Sequence, residues 1–205
     1  MPCVEQLYAF RSATSSFGKF GIVAFSSFGY QYSVGTFQIQ IRRLAPTDAA
    51  PFREIRLEAL RCSPEAFGST FETENAQQLT FFSDRLNGSD MFGAFHGSEL
   101  IGIAGLLIGK GQKEIHKGKL VAMYVRPNFR NAGVGRKIVE AIIDFARERV
   151  ELVQLAVVRE NEQARRLYTS LGFVEYGIEK NALKQDGRYY DEVLMAKTLK
   201  ADLQS

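Results

Sequence analysis

The densest run of chemically useful residues is Arg130-Asn131-Ala132-Gly133-Val134-Gly135-Arg136-Lys137. It follows an apolar stretch that ends in Met123-Tyr124-Val125 and opens an amphipathic stretch over residues 134–149. Strand, glycine-bearing turn and helix in that order make a phosphate-binding device. Gly133 and Gly135 permit close backbone approach and φ values that other residues resist. The unpaired N–H groups of a first helical turn, helped by the helix dipole, then face an anion. Arg130, Arg136 and Lys137 add positive charge at the same place. The chemistry indicated is the holding of an anionic, phosphorylated ligand.

The type of phosphate site follows from what is missing. A P-loop needs Lys-Ser or Lys-Thr after its last glycine, and Gly135 is followed by Arg136-Lys137-Ile138. A dinucleotide fingerprint needs a third glycine and an acidic residue at the end of a second strand, and neither is in place. Arg-x-x-Gly-x-Gly over residues 130–135 does fit a known pattern. A second block follows, Asn161-x-x-Ala164-x-x-Leu167-Tyr168 and then Leu171-Gly172-Phe173. On these two blocks, in this order and spacing, the chain resembles the GNAT superfamily of acetyl-CoA-dependent N-acetyltransferases.

The resemblance implies several roles. Acetyl-CoA is the co-substrate, held by Met123, Tyr124 and Val125 of the central strand and by Arg130, Asn131, Ala132, Gly133, Val134, Gly135 and Arg136 of the turn. Asn161, Ala164 and Leu167 complete that set. The Met123 N–H takes the thioester oxygen, and Asn161 takes the pantetheine arm or an ordered water besides serving as an N-cap. Tyr168 matches the tyrosine beside the thioester sulfur and is the expected acid; a locally satisfied core tyrosine is its structural alternative. The reaction implied is direct transfer to a primary amine of a small molecule or protein in a ternary complex. Neither cysteine falls in the two blocks, so a covalent acetyl-enzyme has no evident nucleophile. The alternative is a non-catalytic acyl-CoA-binding or sensor module.

Acetyl transfer needs a proton taken from the amine, an oxyanion stabilised and a thiolate protonated. An alkyl amine titrates near pH 10, so about one molecule in a thousand is nucleophilic at neutral pH. The base is the open question. Where some family members carry a glutamate early on the central strand, this chain has Lys119. Glu72, Glu74, Tyr124, Asp191, Glu192 or a chain of waters remain. For the acceptor, Phe67, Phe71, Glu72, Glu74, Tyr189, Tyr190 and Asp191 suit a cation through charge and cation–π contact. Lys110, Lys113 and Lys117 in a basic loop suit an acidic acceptor instead, or are simply solvated.

Those residues need elements to position them. Alternation over residues 37–44 predicts a strand, and Ala45-Pro46-Thr47-Asp48 caps a helix running to about Arg61. Residues 64–74 read as turn, and a second helix is expected from about Asn75 to Leu86. A hairpin crosses Gly97-Ser98, and Leu152 to Val158 reads as a strand covered on both faces. A short helix spans Glu162 to Leu171. The final pair of strands turns at Asp186-Gly187, a strong hairpin signal. The expected fold is α/β, a central mixed, mostly antiparallel sheet with helices on both faces, over residues 38–200.

Residues 1–37 read as an extension outside that domain, rich in Ser, Gly and Phe (Phe17, Phe20, Phe25, Phe28). A lid or dimer contact is its functional alternative, which leaves a homodimer open. The 205 residues carry a net charge of +3, too small and dispersed to argue for nucleic acid. Cys3 and Cys62 give no disulfide framework, which suits a reducing cytoplasm. His96 and His116 cannot build a metal cluster with them, so no metal is expected. No apolar run approaches the length that spans a bilayer.

Overall fold

The computed structural model describes residues 38–200; the expectations for residues 1–37 lie outside it. Seven strands form one sheet in the order β1-β2-β3-β4-β5-β7-β6. The first is β1 (Ile39–Arg43), which leads into helix α1 (Ala49–Cys62) through a turn. Asp48 closes that turn, accepting from the Ala45 N–H at 2.8 Å and pairing with both terminal nitrogens of Arg42 at 2.7 Å. The expected apolar face of α1, Phe52, Ile55, Ala59 and Leu60, is fully buried.

The next stretch departs from expectation. Helix α2 (Phe71–Asn75) lies where a turn was read, and α3 (Leu79–Asn87) begins four residues later than the helix expected from Asn75. Five residues are too few for an apolar period to show. Helix α2 is set instead by a cap, Thr70 Oγ1 accepting from the Thr73 N–H at 3.2 Å, and by a buried ion pair. Glu74 takes two bonds from Arg56, at 2.7 and 3.0 Å, and a third contact from Arg85 at 3.2 Å. Glu74 is therefore no solvated surface group.

Strands β2 (Asp90–His96) and β3 (Glu99–Ile108) form the expected hairpin. Strand β4 (Lys117–Val125) runs antiparallel to β3, and helix α4 (Val134–Ala146) follows. Then come β5 (Leu152–Val158), α5 (Glu162–Ser170), β6 (Val174–Gln185) and β7 (Arg188–Thr198). Both residues of the last turn are left-handed, Asp186 at φ 49° and Gly187 at φ 80°, the geometry that matches strand twist in a two-residue hairpin.

Neighbouring residues of a strand point to opposite faces, and the sheet carries a core on each. Ile101, Leu106, Leu120, Val153 and Met195 pack with Ile138 and Ile142 of α4. Leu100, Ile103 and Tyr124 pack with Phe52 of α1 and Phe82 of α3. Strand β5 is covered less evenly than expected. Val153, Leu155 and Val157 are buried, while Gln154 and Ala156, facing the other way, are only half-buried. There the covering piece is the turn Pro64–Ala66, which reaches β5 and β6.

Two irregularities open the sheet. Strands β4 and β5, its only parallel neighbours, pair over just three residues, Lys117–Lys119 against 152–154. Beyond them the β5-facing edge of β4 has no strand beside it. A bulge adds to this: Ala122 has φ 55°, and the β3–β4 register slips between Ile103 and Gly105. A bulge re-aims side chains and strengthens local twist. It does so here immediately before Met123-Tyr124-Val125.

Candidate active site

The splayed strands hold a cavity of about 340 Å³. Its floor is β4 from Met123 to Val125, and the loop that follows is strapped by Arg130, whose Nε donates to the Val125 carbonyl at 3.0 Å. Asn131, left-handed at φ 61°, accepts from the side chain of Gln163 on α5 at 2.8 Å. Gly133, at φ 77°, caps α4. The first bond from a residue of α4 back along the helix is Lys137 N–H to the Gly133 carbonyl at 3.1 Å. The N–H groups of Val134, Gly135 and Arg136 thus have no intrahelical partner at the cavity edge.

The two glycines do different work. A side chain at Gly133 would meet nothing within 4 Å, so this glycine is required by its backbone angle. A Cβ at Gly135 would lie 3.0 Å from Met123 Cε and 3.3 Å from Leu167 Cδ2. Gly135 thus lets α4 approach β4 and α5, while its backbone also lines the cavity. Arg136 is partly engaged on the protein itself, donating to Ser170 Oγ at 2.7 Å.

Helix α5 forms the second wall. Asn161 caps it, its Oδ1 accepting from the Ala164 N–H at 3.1 Å, which leaves the amide nitrogen to donate elsewhere. Ala164, Leu167 and Tyr168 face the cavity along one side of the helix. Tyr168 is 5% exposed and rests edge-on against Phe173, ring centroids 5.8 Å apart. Burial alone pushes its phenol up, so it stays a neutral donor at any working pH.

Of the residues assigned from sequence to acetyl-CoA or to the acid, all but Ala132 line this cavity. Sequence reading missed Ser63, Ala66, Phe129 and Gln163 as lining residues. Phe129 and Gln163 lie inside or beside the two motif blocks and could have been suspected there. Ser63 and Ala66 arrive from the end of α1 and carry no local signal beyond the Ser-Pro helix stop.

The remaining candidates separate clearly. Tyr124, 4% exposed, donates its hydroxyl to Glu58 Oε1 at 3.0 Å. Burial first and then the Glu58 charge push its phenol up, which removes it as a base. Asp191 accepts from Lys180 at 2.7 Å and from the Asn181 N–H at 3.0 Å, and these hold its carboxyl below the usual range. Glu192 is half-buried and pushed up by burial, but it does not line the cavity. Glu72 is exposed.

The aromatic rings among the residues expected to suit a cationic acceptor are already in contact with cations of the chain. Arg56 lies 4.9 Å from the Phe67 ring, Arg61 4.3 Å from Phe71, Arg188 4.7 Å from Tyr190, and Lys184 Nζ 4.8 Å from Tyr189. Each ring already carries a cation of the chain itself, and only Phe67 reaches the cavity. The basic loop with Lys110 and Lys113 precedes β4, at the end of the strand away from the site. Cys62, the last residue of α1, is disulfide-bonded rather than a free thiol, which corrects the expectation that the cysteines form no disulfide.

Comparison with known proteins matches residues 52–173 to the Acetyltransferase (GNAT) family. The chain belongs to the GNAT family. Both motif blocks and most of α1 fall inside the matched region. Among its relatives is the N-alpha-acetyltransferase RimI of Mycobacterium tuberculosis, 32% identical over 99 residues, which cover 46% of this chain and 58% of the relative. The chain thus spans little more than half the length of that protein. The GNAT fold recurs in the GNAT acetyltransferase of Streptococcus pneumoniae, with a TM-score of 0.72, 22% identity, and coverage of 80% of this chain and 100% of that one. It recurs also in yncA from Salmonella typhimurium, solved with its cofactor acetyl-CoA, at a TM-score of 0.64, 21% identity and coverage of 80% and 95%.

Proposed function

We infer that the protein is an N-acetyltransferase that moves the acetyl group of acetyl-CoA directly onto a primary amine of a small molecule or protein. The observation that carries this is the junction of a free β4 edge with a left-handed glycine turn and an unengaged tyrosine hydroxyl, all on one cavity. The donor set fits the ligand. The backbone of Met123 and Val125 offers an added strand for a pantetheine arm, and the N–H groups of Val134, Gly135 and Arg136 suit its pyrophosphate.

Acetyl-CoA supplies an activated thioester: the amine nitrogen forms a C–N bond to the carbonyl carbon, the C–S bond breaks, and the amine gives up its proton to a chain of waters leading to bulk solvent. Backbone N–H groups at the β4 bulge stabilise the carbonyl oxygen as it gains charge. Tyr168 gives its proton to the departing sulfur and regains one afterwards. Burial keeps the phenol protonated, so its O–H is present to hydrogen-bond the sulfur as charge develops there. No free cysteine among the described residues is there to carry a covalent acetyl-enzyme, which favours direct transfer. The name of the mycobacterial relative puts a protein α-amine first among acceptors to try. A cytoplasmic setting without metal completes the reading.

The test is release of CoA thiol from acetyl-CoA across a panel of amines, with N-terminal peptides, polyamines and amino acids as arms. Amine-dependent release is expected. A protein that binds CoA tightly yet releases no thiol with any arm would be a binding module instead.

A further inference from the structure

The acetyl-transfer reading leaves the amine without a partner, and the second cavity tyrosine supplies one. A phenol has one proton to give and lone pairs to receive with. Glu58 is acceptor-only as a carboxylate, so in the 3.0 Å bond between them Tyr124 must be the donor. Its single proton is thereby committed, and the oxygen can only accept from anything else. Tyr168 is in the reverse state, its proton uncommitted. Two buried tyrosines on one cavity are thus polarised in opposite senses.

Glu58 is itself held. Its Oε2 is ion-paired with Arg126 Nε at 3.1 Å, and Arg126 is bound in turn by Glu99 at 2.6 Å and by Glu54. Three carboxylates share that guanidinium, and Arg130 lies 5.6 Å from the Tyr124 ring, so a single net negative charge remains around Tyr124, on the Glu58 side. Such a field favours a cation approaching that wall.

We propose that Tyr124 is the contact for the acceptor amine, its hydroxyl oxygen accepting a hydrogen bond from the amine N–H, and that Glu58 is the positioning residue that keeps it an acceptor. The class of acceptor is a primary ammonium or amine, neutral or cationic overall. This rests on the transfer reading only for what happens to the amine afterwards. It also replaces the aromatic rings, already in contact with cations of the chain, as the source of amine recognition.

The test uses the full chain saturated with CoA, its tyrosines labelled at the ring carbon bearing oxygen, and glycinamide as the amine probe. Tyr124→Phe and Tyr168→Phe assign the two resonances. Glycinamide should move the Tyr124 resonance saturably and leave that of Tyr168 in place. Glu58→Ala should abolish the movement, whereas Glu58→Gln, which keeps an acceptor oxygen without charge, should retain it. For any amine that supports thiol release, Tyr124→Phe and Glu58→Ala should raise its KM about tenfold, with acetyl-CoA affinity unchanged in Glu58→Ala, and Glu58→Gln should recover most of the loss. An unmoved Tyr124 resonance overturns the proposal. So does a Glu58→Gln variant as impaired as Glu58→Ala, which would make Glu58 only a charge partner of Arg126. Absence of thiol release in the unaltered protein defeats the transfer reading alone, since the resonance still reports on the amine.

Discussion

The cavity has two sides built on different principles. The donor side, α5 and the glycine turn, is held by backbone geometry: a left-handed Gly133, an Asn161 cap, and Tyr168 seated among apolar neighbours. The acceptor side, α1 to α3 with Tyr124, is held by charge: Arg56 with Glu74, and Arg126 with Glu54, Glu58 and Glu99. Tyr168 and Tyr124 are equally buried, yet one has an uncommitted proton and the other has none to spare. Burial decides that both phenols stay neutral. The neighbours decide which way each one faces chemically.

If this contrast is right, the acceptor side should be the one that fails when a charge is removed. Glu74→Ala leaves Arg56, 5% exposed, without its counter-charge. Loss of one partner from a buried pair costs about 3–5 kcal/mol, readable as a shift in urea unfolding. A loss under about 1 kcal/mol would mean water satisfies Arg56 and the side is not charge-built.

The same pair gives a pH signature. Burial pushes the Glu74 carboxyl up, but Arg56, with help from Arg85 and Ser69, outweighs it and leaves the group below its ordinary value. A depressed carboxyl contributes stability above the unfolded-chain value and loses it as pH falls through the folded one. The stability gap between the unaltered protein and Glu74→Gln should therefore be widest near neutrality and close as pH falls through the carboxylate range. A gap that stays constant to low pH would remove the ion pair from the account.

The donor side should respond in catalysis rather than folding. Tyr168→Phe keeps the ring against Phe173, so melting temperature and acetyl-CoA affinity should barely move. Turnover should drop about a hundredfold, the scale of a positioned acid. Full activity would mean water protonates the thiolate.

Backbone changes on the donor side come next in size. Gly135→Val presses on Met123 and Leu167, both cavity residues, and should weaken CoA binding about tenfold, or ~1.4 kcal/mol, by calorimetry. Unchanged affinity in a folded variant would separate the turn from the ligand. The smallest effect is expected from Asn161→Ala. It removes the α5 cap at a cost of about 1 kcal/mol in stability, and any further loss of CoA affinity would reveal a contact from the amide nitrogen.

How much of this was legible in the sequence differs between the two sides. The strands and the two final hairpin residues were readable because alternation and Asp-Gly are local signals. The donor side was readable as well: Arg130 to Gly135 and Asn161 to Tyr168 are short, ordered blocks, and a turn or a cap is specified by residues a few positions apart. Helix α2 was missed because five residues show no period and its hold is an ion pair spanning 18 positions. The acceptor side was illegible for the same reason. Glu58 meets Tyr124 across 66 positions and Arg126 meets Glu54 across 72, and nothing in the chain marks which carboxylate finds which partner. By itself the sequence determined the fold class, the glycine turn that opens α4 and the tyrosine that α5 turns toward the cavity. Only the tertiary structure decided that Gly135 sits against Met123 and Leu167, that the aromatic rings carry cations of the chain itself, and that Tyr124 donates its proton to Glu58. Local backbone preference is written in neighbours, whereas the pairing of charges depends on which surfaces the fold brings together.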